Sequence, residues 1–245
     1  MKLFRKIRRG LLLKGKFGNY LKYAMGEIIL VVIGILIALS INNWNEQRKE
    51  NNKRQDYYHQ LLDDLNRDLK FTNSIINEFE NYNQNYLNNL ENYADKNVTL
   101  DKLYDILIKL KITSSALTFN SSTMESLLNS GDIGLIDPVL RNKLIDLKRL
   151  QELTIKRFDF TNEGKNQIVQ NASLIMGSPQ MQEKLKEQSQ LQSLKMKNNM
   201  SKLILALEAT HRWKYLSQIE AVDRLKLMQT ELSDIIKIIN KKVKK

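Results

Sequence analysis

The chain has 245 residues, with 9 glycines, 2 prolines, no cysteine and a formal charge of +12. That length allows one medium domain plus an anchor, and the lack of cysteine excludes disulfides, thiolate nucleophiles and Cys-ligated zinc. Eight of the 39 basic residues lie in 1–22 and five in 237–245, which leaves 26 across 42–236 against 26 acids. A basic balance confined to two ends argues against a nucleic-acid-binding domain, which spreads Lys and Arg over a folded face. No glycine or proline occurs between Gly34 and Gly131, a gap too long for a turn-rich β fold.

The first 22 residues contain eight cations and no acid. Leu3, Phe4, Ile7 and Leu11 share a helical face, with Arg5, Lys6, Arg8 and Arg9 around it. Such a segment suits the anionic inner leaflet of a membrane, each cation contributing about 1 kcal/mol. It serves equally as an unstructured basic tail that only sets topology.

Residues 23–41 are apolar apart from Glu27 and Ser40. As a helix, 19 residues span about 28 Å, close to a bilayer core of roughly 30 Å. Tyr20, Tyr23 and Trp44 flank the run, where interfacial aromatics sit. Glu27 lies one turn inside the N-terminal end, where the helix dipole favours an anion and Lys22 is in reach. Gly34 and Ala38 form a small-xxx-small pair suited to helix pairing. The preceding cations predict a cytoplasmic N-terminus and an outward-facing remainder, periplasmic in a cell with two membranes. A rival reading is a signal peptide cut after Ala38-Leu39-Ser40. The long basic region before the run and the polar "INNWNEQRKE" after it favour a retained anchor.

The expected organisation is therefore a basic segment at 1–22, a transmembrane helix at 23–41 and an extracytoplasmic helical domain at 42–245. Over 54–93, Tyr58, Leu62, Leu65, Leu69, Thr72, Ile76, Phe79, Asn83, Tyr86, Leu90 and Tyr93 recur at 4-3 spacing. That is a heptad seam, and Leu61, Ile75 and Tyr82 widen it towards a bundle helix. Nothing between Ile41 and residue 54 demands a break. Thr99 and Asp101 open a short helix with Leu100, Leu103, Leu107 and Leu110 inward. The stretch "TSSALTFNSS" (113–122) reads as a surface turn. A capping box at Ser122–Glu125 starts a helix that Gly131 ends. Asp137 and Pro138 then form a cap and first position. Leu140, Leu144, Leu147, Leu150, Leu153 and Phe158 continue that helix to a break expected near Gly164, and Ser178-Pro179 repeats the start. The last helix is expected over 197–243. Its seam of Ala221, Leu225, Met228, Leu232, Ile235 and Ile239 runs backwards into Gln218, Lys214 and His211. Either the register shifts there, as Trp213, Leu216 and Ile219 suggest, or the bundle has a polar middle.

The fold class expected is all-α: one transmembrane helix followed by an elongated antiparallel bundle resembling a coiled coil. No catalytic, cofactor or metal site is expected. His59 and Asp63 share a helix face as a surface ion pair, and two ligands make no zinc site. Asp63, Asp64 and Asp68, interleaved with Arg67 and Lys70, read as a solvated face. "SGDIGLIDP" lacks a preceding strand and a Walker pattern, so it is a helix stop and start.

The run "GNYLKYAMGEIILVVIGILIALSINNWNEQRK" resembles the N-terminal signature of a family of uncharacterised single-pass bacterial membrane proteins, defined only as a domain of unknown function. The resemblance continues through "STMESLLNSGDIGLIDPVLRNKLIDL". It implies an inner-membrane protein with a helical extracytoplasmic part, and it offers no activity to carry over. The function expected is protein–protein interaction or scaffolding in the cell envelope, with the bilayer and a protein partner or second copy as partners. The alternative is a sensory module relaying through the membrane helix. Neither nucleic acid nor a small-molecule substrate is expected.

Overall fold

The computed structural model describes residues 17–176, 181, 188–189 and 199–243. Within these residues the chain is helical and contains no strand. The basic positions Arg5, Lys6, Arg8 and Arg9, the Ser178-Pro179 start and the final Lys244 and Lys245 lie outside the described residues. The chain divides into two compact units, Met1–Asp56 and Tyr57–Lys245.

Helix α1 is assigned over Phe17–Leu90. Its part in the first unit carries the apolar run, with a mean hydropathy of 2.6 over 18 residues and none of that window buried. From Ile28 to Ile41 every side chain is exposed, Gly34 and Ala38 included; Tyr23 and Trp44 are exposed too, and Glu27 is half-buried. Trp44 lies under the Arg48 guanidinium, 5.9 Å from ring centroid to Cζ. Lys49 pairs with Glu46 at 3.0 Å.

In the second unit, the inward stripe of α1 follows the heptad reading. Tyr58, Leu65, Thr72, Ile76, Phe79, Asn83 and Tyr86 are buried, as are Leu61, Ile75 and Tyr82, while Leu62 and Leu69 are half-buried. The stripe stops at Leu90, where a 3₁₀ turn over Glu91–Ala94 takes over and Tyr93 turns outward. Helix α2, Leu100–Lys109, is capped by Thr99 Oγ1 accepting from the Lys102 amide at 3.2 Å. Leu107 is its buried residue, whereas Leu100, expected inward, is exposed.

Helix α3, Ser122–Asn129, is capped one residue earlier than expected: Ser121, not Ser122, holds the cap position. Ser121 Oγ donates to Glu125 at 2.6 Å, and the carboxylate of Asp64 on α1 takes the Thr123 amide at 3.2 Å. A side chain from another helix thus fills the role expected of a local capping box. Gly131 follows in the left-handed region at φ 77°, which a glycine adopts without a Cβ clash. Asp137 Oδ1 then caps helix α4, Pro138–Met176, through the amides of Val139 and Leu140 at 3.1 and 3.2 Å.

Helix α4 runs through Gly164 without the expected break. The Trp213 ring lies over that glycine, its nearest carbon 3.5 Å from where a Cβ would stand. Helix α5 covers Met200–Lys242. Pairs Lys143–Glu231 and Arg157–Glu220 set α4 and α5 antiparallel. Pairs Asn73–Gln229, Tyr82–His211 and Tyr86–Glu208 do the same for α1 and α5. Helices α1 and α4 therefore run parallel, and 91–137 is the crossover that joins them.

The apolar core has two clusters. Tyr58, Leu61, Leu65, Leu127, Leu140, Leu144, Met228, Leu232 and Ile235 belong to the first. Ile75, Ile76, Phe79, Leu117, Phe158, Ala221, Val222 and Leu225 form the second, where Phe79 stacks on Phe158 at 5.4 Å. Leu225, Met228 and Leu232 are fully buried. Leu225→Ala should cost about 2–5 kcal/mol in urea unfolding. Leu205→Ala, at a position 70% exposed, should stay within about 0.5 kcal/mol.

Candidate functional site: a buried polar layer beneath an extended segment

Between α2 and α3 the chain from Lys111 to Ser121 has no regular secondary structure. It lies at the surface as expected, with Lys111, Thr113, Ala116, Thr118 and Asn120 exposed, but it is packed on the helices and is no simple turn. Leu117 is buried, and Phe119 packs edge-on against Phe71 at 5.6 Å. Extended backbone within a helical unit has no neighbouring strand, so its N–H and C=O groups need side-chain partners. Polar residues on the inward faces of α1, α4 and α5 provide them.

Lys214 Nζ on α5 donates to the carbonyls of Lys111 and Thr113 at 2.6 and 2.9 Å. It also lies 3.6 Å from the centroid of the Tyr82 ring, a cation–π distance. Lys165 Nζ on α4 donates to the Ile112 carbonyl at 3.3 Å and to Ser114 Oγ at 3.4 Å. Further along, Ser115 Oγ donates to the Glu78 carboxylate at 2.7 and 2.9 Å. Asp68 Oδ1 takes both the backbone amide and Nδ2 of Asn120 at 2.7 Å, and Gln151 Nε2 reaches Asp68 Oδ2 at 2.9 Å. Asp64 Oδ2 accepts from Thr123 Oγ1 at 2.6 Å.

His211 on α5 holds the end of α2. Its Nε2 is 2.9 Å from the Leu107 carbonyl and its Nδ1 is 2.8 Å from Tyr82 Oη. A carbonyl can only accept, so Nε2 carries the proton and Nδ1 accepts from the tyrosine hydroxyl. Burial pushes the His211 pKa down to about 4, helped by the nearby Lys214 charge and opposed by the bond to Leu107. Burial also pushes Lys214 down to about 7, with Lys165 and Lys111 adding to the fall and Glu78 opposing it. Lys165 is lowered by burial as well. Burial raises the Tyr82 phenol. Asp68 is raised by burial and by the Asp64 charge, against the hydrogen bonds from Asn120 and Gln151.

These placements correct two readings of the sequence. Asp64 and Asp68 are buried, not part of a solvated face, while Asp63 and His59 are exposed. The α5 seam keeps its register through the polar residues: Leu207, His211, Lys214, Gln218, Ala221 and Leu225 are all buried. Trp213, Leu216 and Ile219 are 43%, 50% and 39% exposed, so no shift occurs. The same substitution of polar for apolar marks α4, where the seam runs Leu140, Leu144, Leu147, Gln151, Thr154 and Phe158, all buried, and Leu153 is exposed. The usable signal was the shared heptad phase of these polar residues.

The arrangement is structural chemistry, not a ligand pocket. Asp64, Asp68, Asn120 and Gln151 border a cavity of about 30 Å³, room for roughly one water molecule and far below the ~300–1,000 Å³ of small-molecule sites. No group of three or more His, Cys, Asp or Glu suited to a metal occurs among the described residues.

Asp68→Leu would strip the Asn120 amide of its acceptor inside the unit and should cost about 3 kcal/mol, whereas the exposed Asp63→Ala should change stability by less than about 0.5 kcal/mol. His211 resists protonation in the folded chain, so the unfolded chain binds the proton first as pH falls. Its contribution to stability is therefore intact above pH 6.5 and is lost progressively down to about pH 4. A nitrogen-detected NMR titration should show the His211 Nε2–H tautomer throughout neutral pH, with protonation only near pH 4.

No curated protein and no solved structure matches the chain. The family model described as "Family of unknown function (DUF6090)" matches residues 27–152. That span runs from Glu27 through the apolar run, the crossover and the Asp68–Gln151 contact, and stops before α5. The chain belongs to this family of unknown function, DUF6090.

Proposed function

We propose that the protein is a single-pass membrane protein of the cell envelope whose helical second unit works by binding another protein chain. The observation that carries the anchor is the uncovered apolar helix: residues 28–41 are exposed on all sides. In water that surface is costly to leave open, whereas a bilayer core covers it at matching length. The cations before the run favour a cytoplasmic N-terminus and an outward second unit. No reaction is part of this reading: Lys214, Lys165 and Asp68 are engaged with the backbone of the 111–120 segment.

Binding of a protein is supported by apolar side chains on the outer surface of α4 and α5. Phe160 and Leu174 are 82% and 88% exposed. Phe160 lies one turn before Gly164, which the Trp213 ring covers, and Leu216 lies one turn after Trp213. Exposed apolar stripes of this kind mark interaction surfaces. The sensory reading draws support from α1 itself, since the candidate span and the first helix of the second unit belong to one helical element.

Expressed in a bacterium with two membranes, the chain should appear full length in the membrane fraction, with a C-terminal tag cut by protease in spheroplasts and spared in intact cells. A soluble product about forty residues shorter would mean cleavage after Ser40 and would remove the anchor. A tag never cut would invert the topology. For the binding surface, a photo-crosslinker at Leu216 should give a discrete adduct in cells that Phe160→Glu abolishes. No adduct from that position would count against this surface.

A further inference from the structure

We infer that residues 110–121 form a latch that acidification releases: Lys214 and Lys165 grip its carbonyls and His211 grips the helix leading into it. The argument starts from the partners. These nitrogens meet carbonyls, a hydroxyl and a phenol, rather than carboxylates, at the distances given above. Lys214 has two carbonyl acceptors and the Tyr82 ring face; a neutral amine's two N–H donors meet both carbonyls, so the closed segment keeps its hydrogen bonds without an ammonium charge and gives up only the cation–π contact. A proton added there would place a charge among groups already basic: Lys165 on α4 and Lys111 on the segment itself. The opposing carboxylate is Glu78 on α1, already engaged with Ser115 and, at 3.6 Å, with Lys111. Tyr82 on α1 faces both Lys214 and His211, and its hydroxyl occupies the His211 nitrogen that a proton would need.

If the segment lifts, water reaches these groups and they take up protons at ordinary values. Protonation therefore favours the open form. Lys214 has an ordinary pKa of 10.5 and about 7 when closed. Each pH unit of acidification within that window favours opening by up to about tenfold, levelling off below pH 7. His211 extends the response from 6.5 towards 4. Leu117 and Phe119 of the segment touch the core, but Met228, Leu232, Ile235 and Ile239 are fully buried and apolar in the first cluster, of which Leu117 is not a member. Release of 110–121 is thus a local opening of the kind that precedes global unfolding. This inference is independent of what the outer surface binds.

The test is hydrogen exchange of the full-length protein in detergent micelles at pH 9 and pH 7, corrected for the intrinsic pH dependence of exchange. Peptides covering 110–121 should lose more than tenfold in protection between the two, while peptides covering 228–239 should not. Lys214→Gln keeps donors without a titrating amine, and Lys214→Met removes both; each should flatten the response of 110–121. Equal pH dependence in the two regions of the wild-type protein would overturn the latch, and so would a wild-type slope surviving in either folded variant. Should both variants fail to fold, the wild-type comparison decides alone.

Discussion

An irregular stretch of backbone packed along helices, with no neighbouring strand, carries amide and carbonyl groups that side chains of those helices meet. The helices of the second unit are shaped around that constraint. Lys214 and Lys165 reach the carbonyls of 111–113, and Asp68 reaches the amide of Asn120. His211 adds a second partner to the Leu107 carbonyl, which also accepts from the Leu110 amide at the end of α2. Each of these side chains occupies a place that an apolar residue would take in an ordinary bundle. The polar seam and the irregular crossover meet through these contacts.

This pairing organises the unit along its length. The Asp68–Gln151 contact separates the two apolar clusters, and the Tyr82–His211–Lys214 group lies beyond the second of them. The crossover takes the place of a fourth helix, running back along α1 from Glu78 to Asp64. Because α1 and α4 are parallel, a connection of this length is required in any case. The chain uses it as packing material as well as a link. Buried amines raise the cost of the closed state in acid, so the same contacts that order the segment make it sensitive to pH.

Much of this was legible in the sequence, and the parts that were not share a cause. Heptad spacing places Leu65, Ile76 and Phe79 on the inward face of α1 and Leu225, Met228 and Leu232 on that of α5. The Asp137-Pro138 start and the Gly131 stop follow from local backbone rules, and the structure has them. Periodicity reports which face is inward but not what lies opposite. Asp68 and Lys214 therefore look like solvent-facing or tolerated charges until the crossover is in place. The same limit explains Gly164, whose meaning depends on the Trp213 ring, and Ser122, whose capping role passes to Asp64 on another helix. The apolar run at 23–41 is a candidate membrane span by length and composition, the same features that mark it in the sequence.

Replacing polar seam residues by leucine tests the central claim most directly, because the two explanations of the polar seam predict opposite signs. Gln218 is fully buried, and its amide makes no hydrogen bond among the described residues; Lys214 holds two carbonyls of the extended segment. Urea unfolding of the full-length protein in detergent should show Gln218→Leu neutral or stabilised. Lys214→Leu should lose about 2 kcal/mol, as two carbonyls of the segment lose their donor. Equal stabilisation of both variants would mean that the polar layer is merely tolerated, as buried charges often are, and that the extended segment does not depend on it.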